Sequence, residues 1–148
     1  MRICAIIITY NPNPKVFSQV VTAVLPQVES ILIIDDGSSQ HVLEAIQSIV
    51  NSSHAELLVS DTNLGLAFSQ NEGIRWAQKQ QFDAVLLLDH DSVVSAGMVE
   101  CLSNALEKLL LKKIKVAAVG PQLIDARKQD NDNYDNIIKI NNQLESNE

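Results

Sequence analysis

Short apolar runs alternate with amphipathic stretches along most of this chain. Residues 3–9, ICAIIIT, are β-branched and apolar at successive positions, the pattern of a strand buried on both faces. Asn13 and Pro14 then stand as cap and first residue of a helix. Val16, Val20, Val21 and Val24 recur along it at helical spacing until Pro26 stops it. A second strand is predicted at residues 30–34, ended by the polar turn Asp35-Asp36-Gly37-Ser38. The helix expected over residues 40–50 buries Val42, Leu43, Ile46 and Ile49. Residues 56–59 form a third strand, and Asn63-Leu64-Gly65 turns the chain into a helix over 67–80. Residues 84–88 form a fourth strand, Ser95 caps a helix reaching residue 111, and residues 116–119 form a fifth strand.

Strands apolar on both faces that alternate with helices define an α/β fold. It is a Rossmann-like three-layer α/β/α arrangement with a mostly parallel sheet. Ligands of such sheets bind outside the carboxyl ends of the strands, where the strand order switches. The polar clusters fall there. Thr9-Tyr10-Asn11 follows the first strand, Asp35-Asp36 the second, Asp61 to Gly65 the third, and Asp89-His90-Asp91 the fourth.

Composition narrows the field. A chain of 148 residues with 46% hydrophobic content is one domain, or part of one, with enough material for a core. The expected division is an α/β domain over residues 1–125 and a polar tail over 126–148. That tail is rich in Asn, Asp and Gln, with Ile137, Ile138 and Ile140 as its apolar cluster, and is read as a lone helix or a poorly ordered segment. A net charge of −7 argues against a nucleic-acid partner, which needs a basic surface. No apolar run has the length of a membrane span. The N-terminal run is too short for a signal peptide and meets an Asn/Pro turn, so it reads as a strand. Cys4 and Cys101 lack metal-ligand spacing, and free core thiols in a reducing cytoplasm are expected.

LLLDHDS at residues 86–92 carries the sharpest chemical signal. Aspartates at i and i+2 point the same way in an extended chain. Two carboxylates that close repel unless a cation lies between them. Mg²⁺ or Mn²⁺ suits hard oxygen ligands and is often held by one or two carboxylates together with substrate phosphates. An ordinary strand-end turn is the rival reading. With ten aspartates in the chain, an Asp-x-Asp pair also arises by chance, as Asp130 and Asp132 of the tail illustrate. The apolar strand before Asp89 and a cappable turn after the pair distinguish the two. Asp35 and Asp36 either contact a nucleobase or ribose, or end a strand and cap a helix. Tyr10 either stacks on a base or covers the core rim. Asn63, Gly65 and Asn71 either shape a nucleotide loop or start a helix. His90 turns away from its neighbours in an extended chain and is expected to support the site rather than ligate. Arg75 and Trp76 are expected to be solvated and packed, with phosphate contact as the alternative.

Taken in order, AIIITYNP, IIDDGSS, NLGLAFSQNEGI and LLLDHDS resemble the motifs of family 2 glycosyltransferases, which have the glycosyltransferase A-type fold. The flavour is that of bacterial rhamnosyltransferases, whose leucine-rich run usually continues Asp-Gln-Asp-Ser. Their later AAVGPQLID-like segment stands here at residues 117–125, while His90 replaces the glutamine. The resemblance implies that Thr9, Tyr10, Asn11, Asp35 and Asp36 line a nucleotide pocket, with Asn63, Gly65, Asn71 and Asp89 beside them. It implies that Asp89 and Asp91 hold Mg²⁺ or Mn²⁺ and the diphosphate, Asp91 being the direct ligand. The implied reaction is inverting transfer of a sugar from dTDP-rhamnose or a UDP-sugar to a saccharide or lipid-linked acceptor. The implied setting is cell-surface polysaccharide synthesis in the cytoplasm, with peripheral contact at the inner face of the membrane. The resemblance covers nearly the whole chain but only the first half of the family's catalytic domain, and the catalytic base is not found. A donor-binding half that transfers sugar poorly alone, and self-associates through uncovered surface, is therefore expected.

Three other classes fit parts of the pattern. A receiver-like domain would place an acid pair after the first strand, where Thr-Tyr-Asn stands. A nucleotidyltransferase usually has a Gly-rich, basic loop there, and TYNPNPK has no glycine. A catalytically inactive nucleotide-binding or scaffold module is the alternative to an active transferase.

Overall fold

The computed structural model describes residues 1–121, so the tail expected over 126–148 lies outside the described residues. Four strands form one sheet: β1 (Ile3–Thr9), β2 (Ser30–Asp36), β3 (Glu56–Ser60) and β4 (Ala84–Asp89). Their order is β3-β2-β1-β4, and every neighbouring pair is parallel. Four α-helices accompany them, α1 (Pro14–Val24), α2 (Gln40–Ser53), α3 (Leu66–Lys79) and α4 (Met98–Leu111), with a 3-10 turn at Leu25–Gln27 after α1.

Alternation along the two central strands divides the core into layers. Ala5, Ile7, Ile31 and Ile33 pack with Phe17, Val20, Val21 and Val24 of α1 and Ile46 and Val50 of α2. Cys4, Ile6, Ile8, Leu32 and Ile34 face the other way, onto Ala77, Ile74 and Trp76 of α3. The result is three layers, α/β/α. α3 lies close to the sheet because Ser69, Gly73 and Ala77 form its buried face. A Cβ on Gly73 would stand 2.6 Å from Ile6 Cγ2. Desolvation pushes the buried Cys4 thiol up to about 11.

Asn13 caps α1 as expected: its Oδ1 accepts the Lys15 and Val16 N–H groups at 3.0 and 3.3 Å. The start of α4 differs from expectation. Gly97, in the left-handed region at φ 77°, precedes the first turn, and Ser95 makes no side-chain cap. The Ser95 carbonyl instead accepts from Gln27 Nε2 at 3.1 Å, and Gln27 Oε1 accepts the Val99 N–H at 3.2 Å. Gln27 thereby ties α4 to the end of α1.

The fifth strand expected at residues 116–119 is not formed. An apolar run becomes a strand only where a ladder partner and a covering layer exist, and this segment pairs with neither sheet edge. The sheet edges are also less covered than the centre: Leu58 and Val59 of β3 and Leu87 of β4 are exposed. Cys101, expected in the core, is exposed on α4.

Candidate functional site

All four strands run the same way, so their carboxyl ends form one edge. The chain lays down β1, β2 and β3 in one direction and then places β4 on the other side of β1. This reversal is the switch point at which such sheets open a crevice. A pocket of about 350 Å³ lies there, lined by Ile8, Tyr10, Asp36, Asn63, Leu66, Asp89, His90 and Asp91.

Beneath it, Asp35 is fully buried and fully engaged. Its Oδ1 accepts from Thr9 Oγ1 at 2.9 Å and from Ser38 Oγ at 2.5 Å, and its Oδ2 accepts the Ser38 N–H at 2.9 Å. Thr9 and Asp35 are register partners, which is why a threonine on β1 meets this carboxylate. Asn11, left-handed at φ 46°, donates its N–H to Ser38 Oγ at 2.8 Å and accepts the Ser39 N–H at 3.0 Å. Thr9, Asn11 and Asp35 thus lock the β1 and β2 loops together as a floor. None of the three lines the pocket.

Asp36 faces the opposite way. Its Oδ1 accepts from the Leu64 N–H at 2.9 Å and from Ser69 Oγ at 3.1 Å, and its Oδ2 accepts the Gly65 N–H at 2.9 Å. The carboxylate draws the loop before α3 over the end of β2. Gly37 permits this approach: it sits at φ 83°, and a Cβ there would lie 2.7 Å from the Asn63 nitrogen. Gly65 serves through its N–H rather than as pocket lining. Asn71 lies on the exposed surface of α3. Two residues from both Ser69 and Gly73, at about 100° per residue, it falls on the helix face away from the sheet.

Asp89 and Asp91 contrast with the first acid pair. Among the described residues neither carboxylate accepts a hydrogen bond or pairs with a cation. They share the pocket, yet not through an extended chain as the sequence reading assumed. The Ser92 N–H reaches back to the Asp89 carbonyl at 3.3 Å, making a turn with His90 and Asp91 at its centre. The turn brings His90 into the lining as well, with Nδ1 at 3.3 Å from the Ile8 carbonyl.

The lining contains three carboxylates and no Lys or Arg, so an anionic ligand needs a cation to enter. Two carboxylates with open lone pairs suit a hard divalent ion whose other positions go to water and ligand oxygens. Among the described residues no three His, Cys, Asp or Glu side chains converge on one ion. A cation caged by protein alone is therefore not what this site offers. Arg75 pairs with Glu72 on the surface of α3. Trp76 stacks on Phe82 with ring centroids 5.6 Å apart, away from the pocket. The sequence places Ser38 in a polar turn without revealing that it bridges Asn11 and Asp35, and it does not single out Ser69. Ser69 had a signal, a hydroxyl at the helical spacing of Gly73 and Ala77 on a buried face.

A parallel α/β/α sheet with an acid-lined crevice at its switch point is the glycosyltransferase A-type arrangement. The solved structures that resemble it agree on the fold. S. aureus TarS superposes with a TM-score of 0.59 at 17% identity, covering 73% of this chain and 20% of that one. The mannosyltransferase PcManGT from Pyrobaculum calidifontis, in complex with GDP-Man and Mn²⁺, gives 0.57 at 20% identity, covering 73% and 32%. Residues 4–142 match the profile of glycosyl transferase family 2, and the chain belongs to that family. A curated relative, the dTDP-rhamnosyl transferase RfbF of Shigella flexneri, is 26% identical over 127 residues. The match takes in 86% of this chain and 40% of that relative's length. No helix among the described residues is long and apolar enough to cross a membrane.

Proposed function

We propose that this chain binds the nucleotide diphosphate sugar donor of an inverting glycosyl transfer, with rhamnose as the sugar. The observation that carries the reading is the open Asp89/Asp91 pair, which shares one pocket with Tyr10, Asp36 and Asn63 at the switch point. Tyr10, half-exposed beside the crevice, offers a face for the base. Asp36 and Asn63 form the wall nearest the ribose. Thr9, Asn11, Asp35 and Gly65 act indirectly, by holding that wall in place. Asp89 and Asp91 face the diphosphate, with Asp91 as the direct ligand of Mg²⁺ or Mn²⁺. The ion, when bound, supplies Lewis-acid stabilisation of the leaving diphosphate. No residue among 1–121 is assigned as the base that takes the acceptor proton.

The rhamnose assignment is supported by the dTDP-rhamnosyl relative, which makes dTDP-rhamnose the first donor and UDP-sugars the second. A saccharide or lipid-linked acceptor, in polysaccharide synthesis at the cytoplasmic face of the membrane, completes the reading. The exposed Leu58, Val59 and Leu87 give self-association an apolar surface. A thermal-shift panel of dTDP-rhamnose, UDP-sugars and GDP-mannose with Mn²⁺ tests the donor. The dTDP donor should raise Tm most. Equal shifts with all three would contradict the rhamnose assignment, and no shift with any would count against the donor site itself.

A further inference from the structure

We infer that His90 is a positioning residue: its ring, tied through Nδ1 to the Ile8 carbonyl, fixes the turn that presents Asp89 and Asp91 to one cation–diphosphate ligand. The inference rests on the donor-site reading and adds a residue to it.

Ile8 and Asp89 are register partners, the last pair between β1 and β4. Beyond them the chain leaves the sheet, and Asp91, Ser92 and Val93 are all exposed. The next buried side chain is Val94. One backbone bond closes the turn, and at 3.3 Å it is long for an amide–carbonyl contact. Among the described residues the His90 ring is the one side chain that hydrogen-bonds this stretch back to the sheet. Without it, two like charges on an exposed turn would separate by repulsion.

The partner also fixes the ring's chemistry. A backbone carbonyl only accepts, so the nitrogen facing it must carry the proton. The neutral ring is therefore assigned as the Nδ1–H tautomer. An asparagine places its amide N–H at the same distance from the backbone as Nδ1, so it can make the same bond. An alanine cannot. Supporting groups of this kind typically change metal affinity 10–100-fold.

Calorimetric titration of a nucleoside diphosphate, with Mn²⁺ and with EDTA, tests this on wild type, His90→Ala and His90→Asn. His90→Ala should lose roughly 10-fold in Mn²⁺-dependent affinity and, like wild type, show no binding in EDTA, and His90→Asn should recover most of the loss. Equal Mn²⁺-dependent affinity in His90→Ala and wild type would overturn the inference, as would equal losses in both variants. A second readout needs no ligand: two-bond ¹⁵N–¹H correlations on the wild type should show the proton on Nδ1. A ring protonated on Nε2 in a protein that still binds with Mn²⁺ would overturn the inference alone. Wild type without metal-dependent binding would overturn the donor-site reading and the positioning role with it.

Discussion

Asp35 accepts three hydrogen bonds inside the protein, while Asp91, two strand ends away, accepts none among the described residues. The same residue type therefore does opposite work. Removing the Asp35 carboxylate strands the buried Thr9 hydroxyl and the half-buried Ser38 N–H. Asp35→Ala should lower stability by about 2–3 kcal/mol, read as a smaller urea midpoint at unchanged slope. Asp91→Ala should leave that midpoint near wild type. Equal midpoints for the two variants would remove the distinction between floor and ligand-facing acids. The two thiols divide likewise. Cys4 is buried and its pKa pushed up to about 11, whereas Cys101 is exposed. At pH 8 the native protein should react promptly with a thiol reagent at Cys101, and at Cys4 only after denaturation. Sequence placed the acids at strand ends but could not show which had lone pairs to spare. That depends on partners such as Leu64 and Gly65, 28 and 29 residues from Asp36.

At the scale of elements, two glycines set how closely loops and helices approach the sheet. Gly73→Ala gains about 1 kcal/mol of helix propensity but drives a methyl to 2.6 Å from Ile6 Cγ2, on a stiff β-branched side chain. Overpacking of this kind costs about 1–3 kcal/mol, so a net loss of roughly 1 kcal/mol is expected by chemical denaturation. Gly37→Ala should cost more, because its obstacles are the Thr62 and Asn63 backbone and its φ is 83°. It should also weaken nucleotide binding, since the displaced loop carries the N–H groups that hold Asp36. The central elements were legible because a strand buried on both faces is written as an unbroken apolar run. The run at residues 116–119 looks the same in sequence, yet strand formation depends on a partner that sequence does not name. A turn was expected after the acid pair, but that it begins at Asp89 itself was not legible, for a related reason. One backbone bond and one histidine contact reverse the chain there, and neither leaves a compositional mark.

At the scale of the whole molecule, the two ends of the sheet are specialised. The amino end is clasped by Arg2, which donates to Glu29 at 2.8 Å, to the Gln80 carbonyl at 3.0 Å and to the Gln81 carbonyl at 3.1 Å. It also lies over the Phe82 ring at 4.8 Å. The Arg2 hydrogen bond holds the Glu29 carboxyl below its usual range. A depressed carboxylate contributes stability above its ordinary value of 4.5, and that contribution fades as pH falls through the folded value. Arg2→Gln should therefore melt below wild type at pH 7, with a gap that narrows at pH 3. The gap should not vanish, because the carbonyl contacts do not titrate. A gap that widened in acid would contradict the assignment to Glu29. The carboxyl end is the reverse: there the Asp89/Asp91 pair stands open at the switch point. Calorimetric titration of dTDP and UDP, with Mn²⁺ and with EDTA, on wild type and Asp91→Ala tests that claim most directly. The account predicts binding to wild type that needs the metal, favours dTDP, and is lost in Asp91→Ala. Metal-independent binding, or equal binding by Asp91→Ala, would contradict it.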